Sequence, residues 1–99
     1  MERIQTQEYQ DMRLFLKQLS RSDSRLHRML ASAIKRELTA RQEQMVRMYF
    51  LEQRTMREIA GLLGVNVSTV SRTLGASRVK IKRCLRYGAK ALLEDEEPV

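Results

Sequence analysis

Within five consecutive positions, Ser68, Thr69, Ser71 and Arg72 gather three small hydroxyls and one guanidinium. Hydroxyls both donate and accept hydrogen bonds, and the arginine fork matches the O6 and N7 atoms of a guanine edge. This is chemistry for recognising a polar surface, and nothing elsewhere in the chain adds a reaction to it. The chain has one histidine, His27, and one cysteine, Cys84. Neither stands at a metal-ligand spacing from a second ligand type. His27 reads as a surface residue, and Cys84, on an apolar helix face, reads as a small core hydrophobe. There is no His/Ser/Asp set and no glycine-rich phosphate loop. The expectation is a protein without catalytic residues, metal or cofactor, and not an enzyme.

The four recognition residues need an element that turns them outward. The stretch Thr55–Arg78, TMREIAGLLGVNVSTVSRTLGASR, reads as two short helices joined by a glycine turn. Thr55 and Glu58 form a capping box: the threonine accepts from the amide three residues on, and the glutamate reaches back. Ile59, Ala60 and Leu63 then make an apolar stripe at helical spacing. Gly64 follows, and glycine takes the left-handed conformation of a helix stop at little cost. Val65 plugs the turn and Asn66 can cap the second helix, whose core side continues through Val70 and Leu74. This leaves Ser68, Thr69, Ser71 and Arg72 outward, on a helix slim enough for the DNA major groove. The pattern is a helix-turn-helix.

Charge points the same way. Lys and Arg number 19 against 12 Asp and Glu, a formal net charge of +7, which favours an anionic partner. From Ser68 to Lys90 there are seven basic residues (Arg72, Arg78, Lys80, Lys82, Arg83, Arg86 and Lys90) and no acid. The basic block thus begins at the reading helix and runs down its continuation, where phosphates would lie. From Ala91 onward there are four acids and no base. The length of 99 residues and a hydrophobic content of 42% suffice for one modest core. No apolar run approaches a membrane span and no signal-peptide core is present, so a cytoplasmic protein is expected.

The remaining sequence predicts further helices. Tyr9, Met12, Phe15 or Leu16, and Leu19 recur at spacings of three and four over about Arg3 to Ser20. Ser20 to Ser24 forms a polar linker. Leu26, Met29, Leu30, Ala33 and Ile34 then give a narrow seam from Ser24 to about Glu37. Thr39 and Gln42 form a second capping box, with Leu38 placed as a hydrophobic staple. Behind it, Met45, Val46, Met48, Tyr49 and Phe50 bury one side. The adjacent aromatics Tyr49 and Phe50 read as core packing in preference to a base-stacking platform. The last helix is expected over residues 67–87, with Gly75 inside it as a close approach or a kink, and Gly88 as its C-cap. The fold class is all-α: a small domain of about five helices with a C-terminal helix-turn-helix.

Taken together, Leu38-Thr39, Gln42, Met45-Val46-Arg47, Tyr49, Glu58-Ile59-Ala60, Leu63-Gly64-Val65, Thr69-Val70-Ser71-Arg72, Leu74, Ser77-Arg78 and Ile81 resemble region 4 of the sigma-70 family. The resemblance covers roughly Leu38 to Leu85. LuxR-type response-regulator domains share nearly the same pattern. Both groups differ from phage repressors in placing a core residue at Leu74, four after Val70, where a repressor would have it at Thr73. In the sigma-70 family this module binds the −35 promoter element and docks on the flap of the polymerase β subunit. The resemblance implies base contacts from Ser68, Thr69, Ser71 and Arg72, with Arg72 assigned to a guanine. It places Arg78, Lys80 and Lys82 at positions that contact or flank phosphate, and Arg57 near the backbone.

The chain shows no counterpart of sigma region 2, which binds core polymerase and melts promoter DNA with exposed aromatics, so a free-standing region 4 is expected. Three segments follow: 1–37, a helical pair of unknown role; 38–88, the region 4-like unit; and 89–99, a short acidic tail expected to be disordered. The expected function is a sequence-specific DNA-binding transcription regulator that reads promoter DNA. Its partners would be double-stranded DNA, with the polymerase β flap and a second copy of the chain as further candidates and no membrane. The alternative is a protein-interaction module for polymerase or a sigma factor, with DNA contact incidental.

Overall fold

A computed structural model describes residues 6–21 and 24–96, with side chains through Arg86. Threonine caps set three of its helix starts. Thr6 accepts from the Tyr9 amide at 3.1 Å and opens α1 (Gln7–Arg21). The segment expected ahead of it, from Arg3, lies outside the described residues. Thr39 opens α3 (Ala40–Val46) and Thr55 opens α4 (Met56–Leu63), each through a complete capping box. Between α1 and α3, α2 (Arg25–Glu37) follows Ser24, and α5 (Val67–Glu96) is the last described helix. Among the described residues the architecture is all-helical, with the helix-turn-helix formed by α4 and α5.

The helices share one core. Met12, Leu16 and Leu19 from α1 and Ile34 from α2 join Met45, Phe50, Ile59, Val70, Leu74 and Ile81 in a single buried cluster. The N-terminal pair therefore packs on the helix-turn-helix. On α2 the buried side is carried by Leu30 and Ile34, with Leu38 four residues further on. Met29, expected in the seam, is 59% exposed, because one position off that row is a rotation of about 100°.

After Val46, α3 widens into a single π turn over Arg47–Leu51, closed by the Glu52 amide donating to the Arg47 carbonyl at 3.0 Å. The wider turn changes the phase of the helix. Met48 and Phe50 both point inward, Tyr49 is half-buried, and Leu51 turns to solvent. Tyr9 of α1 packs against this turn with ring centroids 5.2 Å from Tyr49 and 5.3 Å from Phe50, and its hydroxyl donates to the Tyr49 carbonyl at 3.1 Å. Tyr49 and Phe50 are thus packing residues. The turn ends at Gln53, which has a positive φ of 56°, and the Arg54 amide returns to the Met48 carbonyl.

The stop expected at Gly88 does not occur. The α5 backbone passes through Gly88 to Glu96, so residues 89–96 continue the helix within the 89–99 segment expected as a disordered tail. Glycine interrupts a helix only at a modest cost of about 1 kcal/mol, and Ala89 to Leu93 are good helix formers that carry it onward. Gly75 lies inside the continuous helix, and a Cβ there would meet nothing within 4 Å. Among the described residues no backbone approaches it closely.

Candidate nucleic-acid interface

The reading helix is held by its start and by one buried face. Thr55 accepts from the Glu58 amide at 3.1 Å, and Glu58 accepts from the Thr55 amide at 2.7 Å. Gly64 ends α4 in the left-handed conformation, at φ 67° and ψ 36°, and the Val65 amide closes back on the Ala60 carbonyl at 3.0 Å. The Asn66 carbonyl then accepts from the Thr69 and Val70 amides, which starts α5. Four residues fix the rotation of α5. Val70, Leu74, Ser77 and Ile81 are buried along one side. Ser77 is the polar member, satisfied by donating its hydroxyl to the Thr73 carbonyl at 2.6 Å.

At about 100° per residue, Ser68 and Arg72 fall opposite that buried row, and Ser71 and Thr69 fall on its two flanks. The exposures agree: Ser68, Ser71 and Arg72 are exposed and Thr69 is half-buried. Arg72 makes no ion pair or hydrogen bond among the described residues. The first turn of α5 contains no acid, so nothing offsets the positive end of the helix dipole beside these groups. Val79 continues the outward stripe and is 57% exposed. Arg57, on α4, is exposed as well.

The three expected phosphate contacts divide. Arg78 and Lys82 lie one turn apart on the same flank as Ser71, and both meet Glu8 at the start of α1. The Lys82 Nζ is 2.7 Å from Glu8 Oε1, and an Arg78 Nη is 3.5 Å from the same oxygen. The hydrogen bond and charge of Lys82, with the charge of Arg78, hold the Glu8 carboxyl below its ordinary value. Lys80 lies on the opposite flank and is half-buried. Its ammonium donates to the Glu37 carbonyl at 3.0 Å and to Gln42 Oε1 at 2.9 Å. It ties the end of α2 and the capping box of α3 to α5, a structural role that stands beside the phosphate contact expected of it. Neither Glu8 nor the partners of Lys80 stand out in the sequence. They lie roughly 40 to 70 residues away, and only the packing of α1 and α2 brings them near.

The other candidate chemistries resolve simply. His27 is only half-exposed, with its Nδ1 buried and without a hydrogen-bond partner, so it is less exposed than expected. Among the described residues no group of His, Cys, Asp and Glu could hold a metal. Cys84 packs partly against the core, and burial, with the nearby Glu37 charge, pushes its thiol above the ordinary value. Such a thiol is a poor nucleophile. No helix among the described residues is long and apolar enough to cross a membrane.

A capped first helix, a glycine turn and a second helix that presents hydroxyls and a guanidinium define a helix-turn-helix of the DNA-binding class. The family described as sigma-70, region 4 matches residues 28–81, more than half of the chain, and the chain belongs to that family. The match opens within α2 and closes at Ile81, and therefore takes in all of α4 and the first half of α5. No curated protein and no solved structure gives a match. Region 4 is a regulatory domain that binds DNA and associates with RNA polymerase, and it is not a catalytic family.

Proposed function

We propose that this protein reads promoter DNA of the −35 type by sequence, with α5 in the major groove and Ser68, Thr69, Ser71 and Arg72 facing the bases. The observation that carries this reading is the orientation of α5. Its buried row leaves Ser68 and the unpaired Arg72 pointing away from the core, at the acid-free start of the helix. Arg72 serves as the guanine contact through its bidentate fork. Arg57, Arg78 and Lys82 supply phosphate contacts, which add salt-dependent affinity but no sequence information. One module of this size covers roughly 600–1,000 Å² of DNA-facing surface, so a second contact, to polymerase or to another copy of the chain, strengthens binding at a promoter.

Retention of random genomic fragments by the purified protein, followed by sequencing, tests the proposal. An enriched motif without two-fold symmetry is expected, matching a sigma-type mode. A two-fold symmetric motif would instead indicate a dimeric regulator. No enrichment above the input would contradict sequence-specific reading and favour a protein-interaction role.

A further inference from the structure

We infer that Glu8 is an intramolecular stand-in for a DNA phosphate: in the free protein its carboxylate occupies the site that Arg78 and Lys82 offer to the nucleic-acid backbone. This rests on the DNA-binding reading of α5 and adds a regulator to the same surface. Arg78 and Lys82 stand four residues apart on one helix face, where two like charges repel and destabilise the helix. One oxygen of Glu8 meets both, at 3.5 Å and 2.7 Å. A phosphate oxygen has the same charge-assisted geometry to offer such a pair.

The neighbouring surface fits an exchange of partners. Thr6, Glu8 and Tyr9 form one wall of a groove whose other wall is Ser71, Gly75 and Arg78. The start of α1 therefore lies against the flank of the reading helix. Gly75 keeps that flank bare, and a Cβ there would meet nothing within 4 Å among the described residues. α1 itself is fixed by Met12, Leu16 and Leu19 in the core and by the Tyr9 hydroxyl on the Tyr49 carbonyl. The part not held by the core is the Glu8 side chain. It is about half exposed, as are both its partners. Pairs this exposed are weak, so the carboxylate can leave when a phosphate arrives. It lowers affinity for every DNA sequence alike without closing the surface.

The test is a cycle of DNA titrations at low salt with the full chain, in which Glu8→Gln is made in the wild type and in an Arg78→Ala/Lys82→Ala background. Glu43→Gln serves as a control for net charge, since Glu43 pairs with Arg47 on another helix. Glu8→Gln is expected to tighten binding roughly three- to tenfold in the wild type. The gain should shrink as salt is added and vanish in the doubly substituted background, and Glu43→Gln should change affinity by less than about twofold. Equal effects of Glu8→Gln and Glu43→Gln, a gain that survives without Arg78 and Lys82, or weaker binding by Glu8→Gln would each overturn the stand-in role while leaving DNA binding itself intact. If neither the wild type nor Glu8→Gln binds DNA at low salt, the DNA-binding reading fails and this role fails with it.

Discussion

Arg72 and Lys82 stand ten positions apart on α5 in different surroundings, and the proposed function gives them different work. Arg72 is exposed opposite the buried row and has no partner among the described residues. Lys82 lies on the flank and already holds a carboxylate. Arg72→Ala should therefore relax sequence preference, costing about 1–3 kcal/mol at one base pair. Lys82→Ala should weaken all sequences alike. Competition titrations with matched and mismatched fragments read the difference. Glu8 adds a pH dependence. Its folded-state carboxyl lies below the ordinary 4.5, so its contribution to stability is present above the unfolded value and is lost as pH falls through the folded one. Thermal unfolding between about pH 6 and about pH 3 should fall less steeply for Glu8→Gln than for the wild type. At this scale the outward placement of Ser68 and Arg72 was legible because the 3.6 period alone sets them opposite Val70 and Leu74. Lys80 was not, because its partners, the Glu37 carbonyl and Gln42, reach it only through tertiary packing.

At the scale of elements, two residues with left-handed backbones carry opposite predictions. Gly64 ends α4 at φ 67° as a glycine should, and Gly64→Ala should destabilise the protein by roughly 1–2 kcal/mol. Gln53 has φ 56° with a side chain that strains this conformation, so Gln53→Gly should stabilise by roughly 0.5–1 kcal/mol. Urea denaturation of both variants decides whether the two turns are built as described. Thr55→Ala should cost about 1 kcal/mol through loss of the cap. The caps at Thr39 and Thr55 were legible because each places a Gln or Glu three residues later, and Gly64 was legible as a glycine after an apolar stripe. The π turn was not. Arg47 to Leu51 contains nothing that distinguishes it from an α-helix, and Gln53 is not a residue type that announces a left-handed turn. The continuation through Gly88 escaped for the converse reason, since a glycine suited to a cap need not act as one where helix formers follow.

For the molecule as a whole, the N-terminal pair is a structural partner of the helix-turn-helix. The three rings of Tyr9, Tyr49 and Phe50 lie 5.0–5.3 Å apart and join α1 to the π turn. Tyr9→Ala should lower the free energy of unfolding by roughly 2–4 kcal/mol, somewhat below the loss for a fully buried ring, and Tyr9→Phe by about 1 kcal/mol through the lost hydrogen bond. Calorimetry of the two variants checks that α1 and the helix-turn-helix unfold together. The 30 residues of α5, at about 1.5 Å each, span about 45 Å and account for most of the 53 Å long axis. That helix carries the proposed reading residues, the flank of Arg78 and Lys82, and the buried row of Val70, Leu74, Ser77 and Ile81, so a change in its rotation would move all three together.

The central claim is that one rotation of α5 puts Arg72 on the bases and leaves affinity to the flanking cations. Its most direct measurement is fluorescence-anisotropy titration of the wild type and Arg72→Ala with a selected genomic fragment and a scrambled one, over a range of salt. The wild type should prefer the selected fragment by at least about tenfold, with affinity for both falling steeply as salt rises. Arg72→Ala should lose most of that preference while keeping much of its affinity for the scrambled fragment. Equal binding of both fragments by the wild type, or an equal loss on both from Arg72→Ala, would contradict the claim.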